Sequence, residues 1–110
     1  DVERVVNEFR DAGKPIGMCC IAPVIAARVL GATRGGCRLT LGASSDASKA
    51  AEKMGASHVE APATAAVVDE ANRLVTTPAY MCEAPIHEVY EGIGDMVVRT
   101  LALTTEHATA

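Results

Sequence analysis

The chain has 110 residues, of which 49% are hydrophobic and 3% aromatic, and its formal net charge is −4. This length suits one small domain with an aliphatic core. The negative charge and the lack of a Lys/Arg cluster exclude a nucleic-acid-binding surface, and no apolar run is long enough to span a membrane.

The first half of the chain predicts alternating helices and strands. Apolar side chains recur at helical spacing over residues 2–12, and Gly13 ends this helix. The segment "PIGMC" then predicts a short buried strand. Pro23 opens a second helix, which ends before Gly31.

A glycine-containing loop follows the second helix. It is flanked by Arg34 and Arg38, which could meet an anion, although a solvated loop is the more ordinary interpretation. The segment "CRLTLGA" alternates like a strand. Ser45 or Asp46 caps a third helix, which ends at Gly55.

The second half of the chain predicts more strands and a long helix. "SHVEA" indicates a weak strand, whose His58 suits a strand end better than a ligand site. "AAVVDEANRLVTTPA" predicts two strands joined by a turn at "DEAN". A last helix spans roughly residues 84–104. One of its faces carries a set of apolar side chains, namely Ile86, Val89, Tyr90, Ile93, Val97 and Leu101.

This order of elements predicts an α/β fold, a layered sandwich with a mainly parallel sheet. Such a sheet needs helices on both faces, and few helices are available here. The chain opens on "DVERVVNEF", which is typical neither of a signal peptide nor of a transit peptide. We therefore expect the C-terminal part of a larger domain, which is not a stable monomer without its own N-terminal half or a protein partner.

The cysteine pair in "PIGMCCIAP" is the candidate site. Cys20 stands between a strand and a helix with proline in its first turn, where a side chain is pushed into the crevice at the carboxyl end of the sheet. Free N–H groups and the helix dipole would favour a thiolate there, and the N–H of Ile21 could stabilise an oxyanion. Cys19 is expected to point into the core. The alternative is that both cysteines are core filler.

The other cysteines carry no metal-ligand pattern. Neither a CxxC motif nor a Cys/His spacing is present, so no metal and no cofactor are predicted, and free thiols in a reducing compartment are the simplest interpretation. Cys82 is assigned to packing. The preceding "TTPAY" could line the crevice near Cys20, or its Pro78 could simply end the strand.

Three segments carry a resemblance to a known family: "GKPIGMCCIAPVIAARVLG", "MGASHVEAP" and "NRLVTTPAYMCEAPIHEVYEGIGDMV". Together they resemble the C-terminal half of the ElbB-like family, which includes the mitochondrial glutamine amidotransferase-like proteins. This family lies in the PfpI and Parkinsonism-associated deglycase superfamily. The resemblance implies that residues 1–110 form part of a class I glutamine amidotransferase-like, PfpI-type domain. It also implies a flavodoxin-like sandwich with Cys20 at the elbow position.

The resemblance also bears on the chemistry. Some relatives convert glyoxal-type aldehydes to hydroxy acids. Ile21 stands where cysteine peptidase-like relatives often carry His, and His87 and Glu91 fall on a solvated helix face. Glutamine hydrolysis is therefore not expected. The superfamily's acidic partner of the cysteine and its glycine-rich oxyanion loop lie in the N-terminal half, so the site is expected to be incomplete.

Two functions remain open. The first is an enzyme with glyoxalase III-like or deglycase-like chemistry on a small aldehyde through a cysteine nucleophile. The second is a catalytically inactive accessory or structural subunit of a larger organellar assembly, or a homo-oligomer. A mitochondrial or plastid location is favoured, or the cytoplasm if the protein is bacterial.

Overall fold

The structure is a computed structural model that describes residues 1–31 and 35–109, with the side chains of residues 105–109 excepted. Arg34, which the sequence placed beside a glycine loop, lies outside the described residues. The elements in chain order are α1 (Val2–Asp11), β1 (Ile16–Cys19), α2 (Pro23–Leu30), β2 (Cys37–Leu39), α3 (Asp46–Lys53), β3 (Ala56–His58), β4 (Val67–Asp69), β5 (Leu74–Thr77), a 3₁₀ turn (Ala79–Met81) and α4 (Ile86–Thr109).

The helix boundaries follow local sequence signals, as predicted. Gly13 adopts the left-handed conformation after α1, with φ of 72°. Pro23 occupies the start of α2. At the start of α3, Ser48 donates its N–H to the Ser45 hydroxyl at 3.2 Å, and Ser45 donates its N–H to the Ser48 hydroxyl at 2.8 Å. This reciprocal pair is a capping box.

The strands form a three-stranded and a two-stranded sheet. β1 pairs with β5 in parallel, β5 pairs with β4 in antiparallel fashion, and β2 pairs with β3 in parallel. The turn predicted at "DEAN" is present and joins the antiparallel strands β4 and β5. β2 ends at Leu39, earlier than the alternation predicted. The N–H of the next residue, Thr40, bonds instead to the hydroxyl of Thr76 at 3.0 Å.

Asp69 joins the two sheets. This buried carboxylate accepts hydrogen bonds from the N–H of Arg38 at 2.7 Å, the N–H of Asn72 at 3.1 Å and the side-chain amide of Asn72 at 2.9 Å. β2 is thereby held beside β4 through side chains. The two sheets therefore lie side by side as one layer, and the buried Asp69 carboxylate that joins them is satisfied by several donors.

Helices cover both faces of this layer. On one face α1, α2 and α3 pack on the main core, which includes Val6, Ala27 and Leu39. On the other face α4 covers a smaller cluster around Val89. Gly17 and Met18 show the two sides of β1, since Met18 lies in the main core and Gly17 faces α4. The predicted α/β layering is confirmed.

β1 is less buried than the sequence predicted. Gly17 is exposed, and Ile16 and Cys19 are only half-buried. The reason is topological: β1 pairs with β5 on one side only and is the edge strand of its sheet. A strand with one open edge keeps part of its surface accessible.

Candidate active site at the end of β1

Cys20 lies at a sharp turn between β1 and α2. β1 ends at Cys19, and Cys20 adopts φ of 60°, the left-handed region that disfavours a residue with a Cβ atom. Its N–H donates to the carbonyl oxygen of Thr77 at 3.1 Å, which holds the turn against β5. Backbone strain of this kind costs about 1–3 kcal/mol and is concentrated at functional sites. A strained strand-to-helix turn is the geometry of a nucleophile elbow.

Ile21 presents a backbone donor next to Cys20. The N–H groups of Ala22, Val24 and Ile25 each bond to a carbonyl three residues back, at 3.1, 3.0 and 2.8 Å. The backbone hydrogen bonds of the described residues give the Ile21 N–H no acceptor. Ile21 itself is 54% exposed. The Ile21 N–H thus follows the Cys20 turn without a backbone acceptor among the described residues.

The neighbouring strand ends in a second strained residue. Cys19 pairs with Thr77 across β1 and β5, and two residues later Ala79 adopts φ of 47° while almost fully buried. The structure thus brings "TTPAY" beside the cysteine pair. The sequence did not indicate the left-handed Ala79, because alanine is not typical of that conformation.

Three cysteines border one small apolar cluster formed by Ala63, Ala79 and Val89. Cys19, Cys20 and Cys82 all pack against it. Cys19 is half-buried and not in the main core, which differs from the expectation. Cys19 lies on the same face of β1 as Gly17, and α4 covers this face only in part, since Gly17 is exposed.

Cys82 lies in an open groove of about 430 Å³, whose other lining residues are Ala43, Glu60, Ala61 and Pro62. Its Sγ atom is 3.8 Å from the carbonyl oxygen of Ala61. Burial raises the pKa of the Cys82 thiol. A thiol with a raised pKa is a poorer source of thiolate, which agrees with the packing role assigned from the sequence.

Cys37 is a buried structural thiol. Its Sγ atom lies 3.7 Å from the carbonyl oxygen of Ala26. Burial, and secondly the nearby Asp69 carboxylate, raise the pKa of Cys37 to about 11. Both effects disfavour the thiolate form.

The two histidines with described side chains, His58 and His87, have partners other than cysteine. His58 accepts a hydrogen bond at Nε2 from the N–H of Leu41 at 3.0 Å, so it ties the end of β2 to β3. His87 is exposed on α4, 3.9 Å from the carboxylate of Glu88. Within the described side chains, no hydrogen bond joins an imidazole to a cysteine.

A further groove, which Cys20 does not line, lies along β4. It measures about 520 Å³, and its lining includes Arg38, Glu70 and Arg99. Arg38 donates to the carbonyl oxygen of Val68 at 3.5 Å, while Arg99 donates from Nε to both Asp95 oxygens at 3.0 Å. Each arginine thus has a partner already, and two acidic residues, Asp69 and Glu70, share the groove.

Among the described residues, no group of three or more His, Cys, Asp and Glu side chains could hold a metal ion. None of the helices in the described part of the chain is both long and apolar enough to cross a membrane.

Comparisons with known proteins give several relatives. The chain is 44% identical over 113 residues to the human "Glutamine amidotransferase-like class 1 domain-containing protein 3, mitochondrial". It is 43% identical over 113 residues to the "ES1 protein homolog, mitochondrial" of Rattus norvegicus, and 35% identical over 120 residues to the "ES1 protein, mitochondrial" of Danio rerio. No protein-family model matches the chain.

A solved structure matches the fold. This is an isoprenoid biosynthesis protein with an amidotransferase-like domain from Ehrlichia chaffeensis, with a TM-score of 0.84 and 33% sequence identity. The match covers 94% of this chain and 47% of that one. The match to this amidotransferase-like domain confirms the predicted flavodoxin-like sandwich.

These matches span nearly all of this chain but less than half of each curated relative. They cover 94–96% of this chain but only 41–43% of the curated relatives. The resemblance inferred from the sequence segments is confirmed over that region. The chain is similar to the mitochondrial glutamine amidotransferase-like class 1 domain and ES1 proteins over about two fifths of their length.

Proposed function

We propose that Cys20 is the nucleophile of an ElbB-like glutamine amidotransferase-like domain that acts on small glyoxal-type aldehydes. The observation that carries the proposal is the strained backbone of Cys20, with φ of 60°, next to the unbonded N–H of Ile21. A strained turn is kept where it positions a reacting group. A donor beside the nucleophile stabilises the charge that develops during addition.

The reaction needs no oxidant or reductant. The Cys20 thiolate adds to the aldehyde carbon of a 2-oxoaldehyde. The resulting oxyanion accepts a hydrogen bond from the Ile21 N–H. A base then removes the proton from this carbon and returns it to the neighbouring carbonyl carbon. The oxygen on that neighbouring carbon takes up the proton that the Cys20 thiol lost on ionisation, which gives a thioester of a 2-hydroxy acid. Water hydrolyses the thioester, releasing the hydroxy acid and the Cys20 thiol.

The base for this proton transfer is proposed to come from outside the described elements. Glu60 is the acid in the nearby Cys82 groove, and one of its oxygens accepts the Ser44 N–H at 3.1 Å. No described side chain forms a hydrogen bond with the Cys20 thiol. An added segment that places a carboxylate beside Cys20 would complete the site.

Glutamine hydrolysis is not proposed, although the relatives carry an amidotransferase name. That chemistry pairs the cysteine with an imidazole and a carboxylate. Here the residue after Cys20 is Ile21, His58 is bonded to Leu41, and His87 is solvent-exposed. These features favour aldehyde addition, which needs only a thiolate for its first step.

We further propose a mitochondrial location, since the human, rat and zebrafish relatives are named as mitochondrial proteins. Fractionation of the cells that produce this protein distinguishes the mitochondrial location from the alternatives, a plastid or the bacterial cytoplasm. Immunodetection in the mitochondrial matrix supports the proposal, and detection in another compartment refutes it.

A second function has one observation in its favour. An inactive accessory subunit needs an exposed surface for its assembly, and α4 leaves several large apolar side chains exposed, among them Ile86, Tyr90 and Leu101. In that case a Cys20→Ser variant would assemble and support function as well as the parent.

The deciding experiment follows conversion of glyoxal to glycolate by NMR, with the chain in the presence of its completing segment. We expect turnover by the parent and by Cys82→Ser, and none by Cys20→Ser. The Cys82 variant is the matched control, because its thiol borders the same cluster. Equal turnover by Cys20→Ser and the parent would refute the proposal, and absence of turnover in all three would favour the accessory role.

A further inference from the structure

Cys19 is a thiol that the proposed reaction does not use. It ends β1 directly before Cys20, and both cysteines are half-buried. In an extended strand, neighbouring side chains point to opposite faces of the sheet, so two adjacent cysteines are normally kept apart. Along β1, Met18 lies in the main core and Gly17 faces α4. An extended continuation would therefore direct Cys19 towards α4 and Cys20 towards the main core.

The turn at Cys20 removes this alternation. Cys20 adopts φ of 60°, and it packs against the same small cluster as Cys19, the one formed by Ala63, Ala79 and Val89. Val89 belongs to α4, so both cysteines lie on the α4 side of the sheet although they are consecutive in the chain. Two consecutive side chains that contact one cluster of three residues lie close to each other. The strained turn thus makes a vicinal dithiol.

Backbone hydrogen bonds fix the two cysteines on both sides of the peptide bond that joins them. Cys19 pairs with Thr77 in the parallel ladder, and the N–H of Cys20 donates to the carbonyl oxygen of Thr77 at 3.1 Å. The carbonyl oxygen of Cys19 accepts from the N–H of Ala22, also at 3.1 Å. Because the backbone is already ordered here, joining the two thiols costs little further conformational entropy.

We propose that Cys19 is the resolving thiol of Cys20: after a hydroperoxide oxidises Cys20, the two cysteines form a reversible vicinal disulfide. That Cys20 reacts first rests on the proposed function, whereas the pairing of the two thiols does not. The disulfide would protect the nucleophile, because a sulfenic acid that meets a thiol is withdrawn from further oxidation to the irreversible sulfinic acid.

The oxidation proceeds in two steps. The Cys20 thiolate attacks one peroxide oxygen and the O–O bond breaks, which gives a sulfenic acid and a hydroxide that takes up the proton lost by the thiol. The sulfur of Cys19 then attacks the sulfur of Cys20, the S–O bond breaks, and the hydroxide leaves as water with the Cys19 proton. In total the two thiols lose two electrons and two protons, and hydrogen peroxide is reduced to two molecules of water.

The spacing of the two residues makes this disulfide easy to reduce. The peptide bond between Cys19 and Cys20 is trans. Cα atoms across a trans peptide are about 3.8 Å apart, closer than the roughly 4.4–6.8 Å of ordinary disulfides. A disulfide outside that range is strained and more reducible. A dithiol reductant would therefore return both thiols, itself becoming the disulfide, and restore the nucleophile.

The remaining cysteines are less suited to this role. Cys82 borders the same cluster, but its Sγ atom lies 3.8 Å from the carbonyl oxygen of Ala61, and it lines a groove that neither Cys19 nor Cys20 lines. Cys37 is buried in the main core. Cys19 is the thiol that is both adjacent to Cys20 and on its side of the sheet.

The test treats the folded protein, at its full natural length, with hydrogen peroxide, alkylates the remaining thiols with iodoacetamide and analyses tryptic peptides by mass spectrometry. Cys19 and Cys20 lie in one peptide, since no Lys or Arg separates them. We expect this peptide to be lighter by two hydrogens than its dithiol form and to take up no iodoacetamide. Dithiothreitol should restore both thiols. Oxidation of the neighbouring Met18 is distinguished because it adds an oxygen atom.

Cys19→Ser and Cys82→Ser form a matched pair, since each removes a half-buried thiol that borders the same cluster. In Cys19→Ser, peroxide should convert Cys20 to the sulfinic acid, and dithiothreitol should no longer recover its thiol. Cys82→Ser should behave like the parent. Phenylarsine oxide, which bridges two close thiols, tests the geometry in the parent itself. It should protect Cys19 and Cys20 together from alkylation and leave Cys82 unprotected.

The outcomes separate the pairing from the proposed function. A disulfide between Cys20 and Cys82, equal recovery of Cys20 in Cys19→Ser and the parent, or failure of phenylarsine oxide to protect the pair would overturn the proposal. If the pair is oxidised reversibly but glyoxal is not converted, the proposed function fails and the pairing stands. If glyoxal is converted by a Cys20 that peroxide takes directly to the sulfinic acid in the parent, the pairing fails and the function stands.

Discussion

Two glycines on α4 give a sharp test of how this helix packs over the candidate site. A Cβ atom added at Gly92 would lie 1.8 Å from the carbonyl oxygen of Ala63 and 2.9 Å from the hydroxyl of Thr77. A Cβ atom at Gly94 would meet no atom within 4 Å. Both residues lie inside the same helix, so replacement by alanine brings the same gain in helix propensity at each position.

The expected energies follow from these distances. An ordinary Cβ contact begins at 3.4 Å, so α4 would have to withdraw from Ala63 by 3.4 − 1.8 = 1.6 Å. Such overpacking costs about 1–3 kcal/mol or more, against a propensity gain of about 1 kcal/mol. Gly92→Ala should therefore destabilise the protein, whereas Gly94→Ala should stabilise it by about 0.5–1 kcal/mol. The two variants should differ by roughly 2 kcal/mol.

Thermal unfolding of the parent and both variants, prepared in the same way, measures the difference. For a domain of this size 1 kcal/mol corresponds to about 4–8 °C in Tm. Gly94→Ala should melt above the parent and Gly92→Ala below it. Equal melting temperatures, or a higher Tm for Gly92→Ala, would refute the close contact of α4 with Ala63 on which the site geometry depends.

Three further predictions concern Cys37, Asp69 and glutamine hydrolysis. Burial raises the folded-state pKa of Cys37 from 9.0 to about 11, so the stability held by its neutral thiol should decline between pH 9 and pH 11, and Cys37→Ala should flatten that decline in denaturant titrations. Asp69→Asn should lower the free energy of unfolding in urea by about 1–3 kcal/mol, because both carboxylate oxygens accept hydrogen bonds here and an amide keeps only one acceptor oxygen. The exposed control Glu70→Gln should change it little. The chain should release no more ammonia from glutamine than its Cys20→Ser variant in a coupled assay, and a clear excess would restore amidotransferase chemistry.

Local signals in the sequence predicted the helix starts and ends. Gly13, Pro23 and Ser45 act through their own backbone and nearest neighbours, and each was found at the boundary it predicted. The strand–cysteine–helix order around Cys20 was likewise local. Its location at a strained turn could therefore be anticipated from the residues in "PIGMCCIAP".

Features that depend on distant contacts could not be predicted in this way. The short β2 results from Thr40 bonding to Thr76, 36 residues away, and Asp69 links β4 to Arg38. Periodicity describes one segment at a time and contains no information on such partners. The left-handed Ala79 is set by its tertiary surroundings in the same way.

The apolar face of the last helix shows a related limit. The pattern grouped six side chains on one face, but only Val89 is fully buried among them, while Tyr90 and Leu101 remain exposed. Helical spacing predicts which residues share a face, not what covers it.

The most direct test of the central claim, that Cys20 is a poised nucleophile, is peptide-resolved labelling with iodoacetamide in the presence and absence of glyoxal. The account predicts that Cys20 is alkylated before Cys19, Cys37 and Cys82 in the folded protein, and that glyoxal slows labelling at Cys20 alone. Labelling of all four cysteines at one rate, or labelling of Cys20 that glyoxal leaves unchanged, would contradict it.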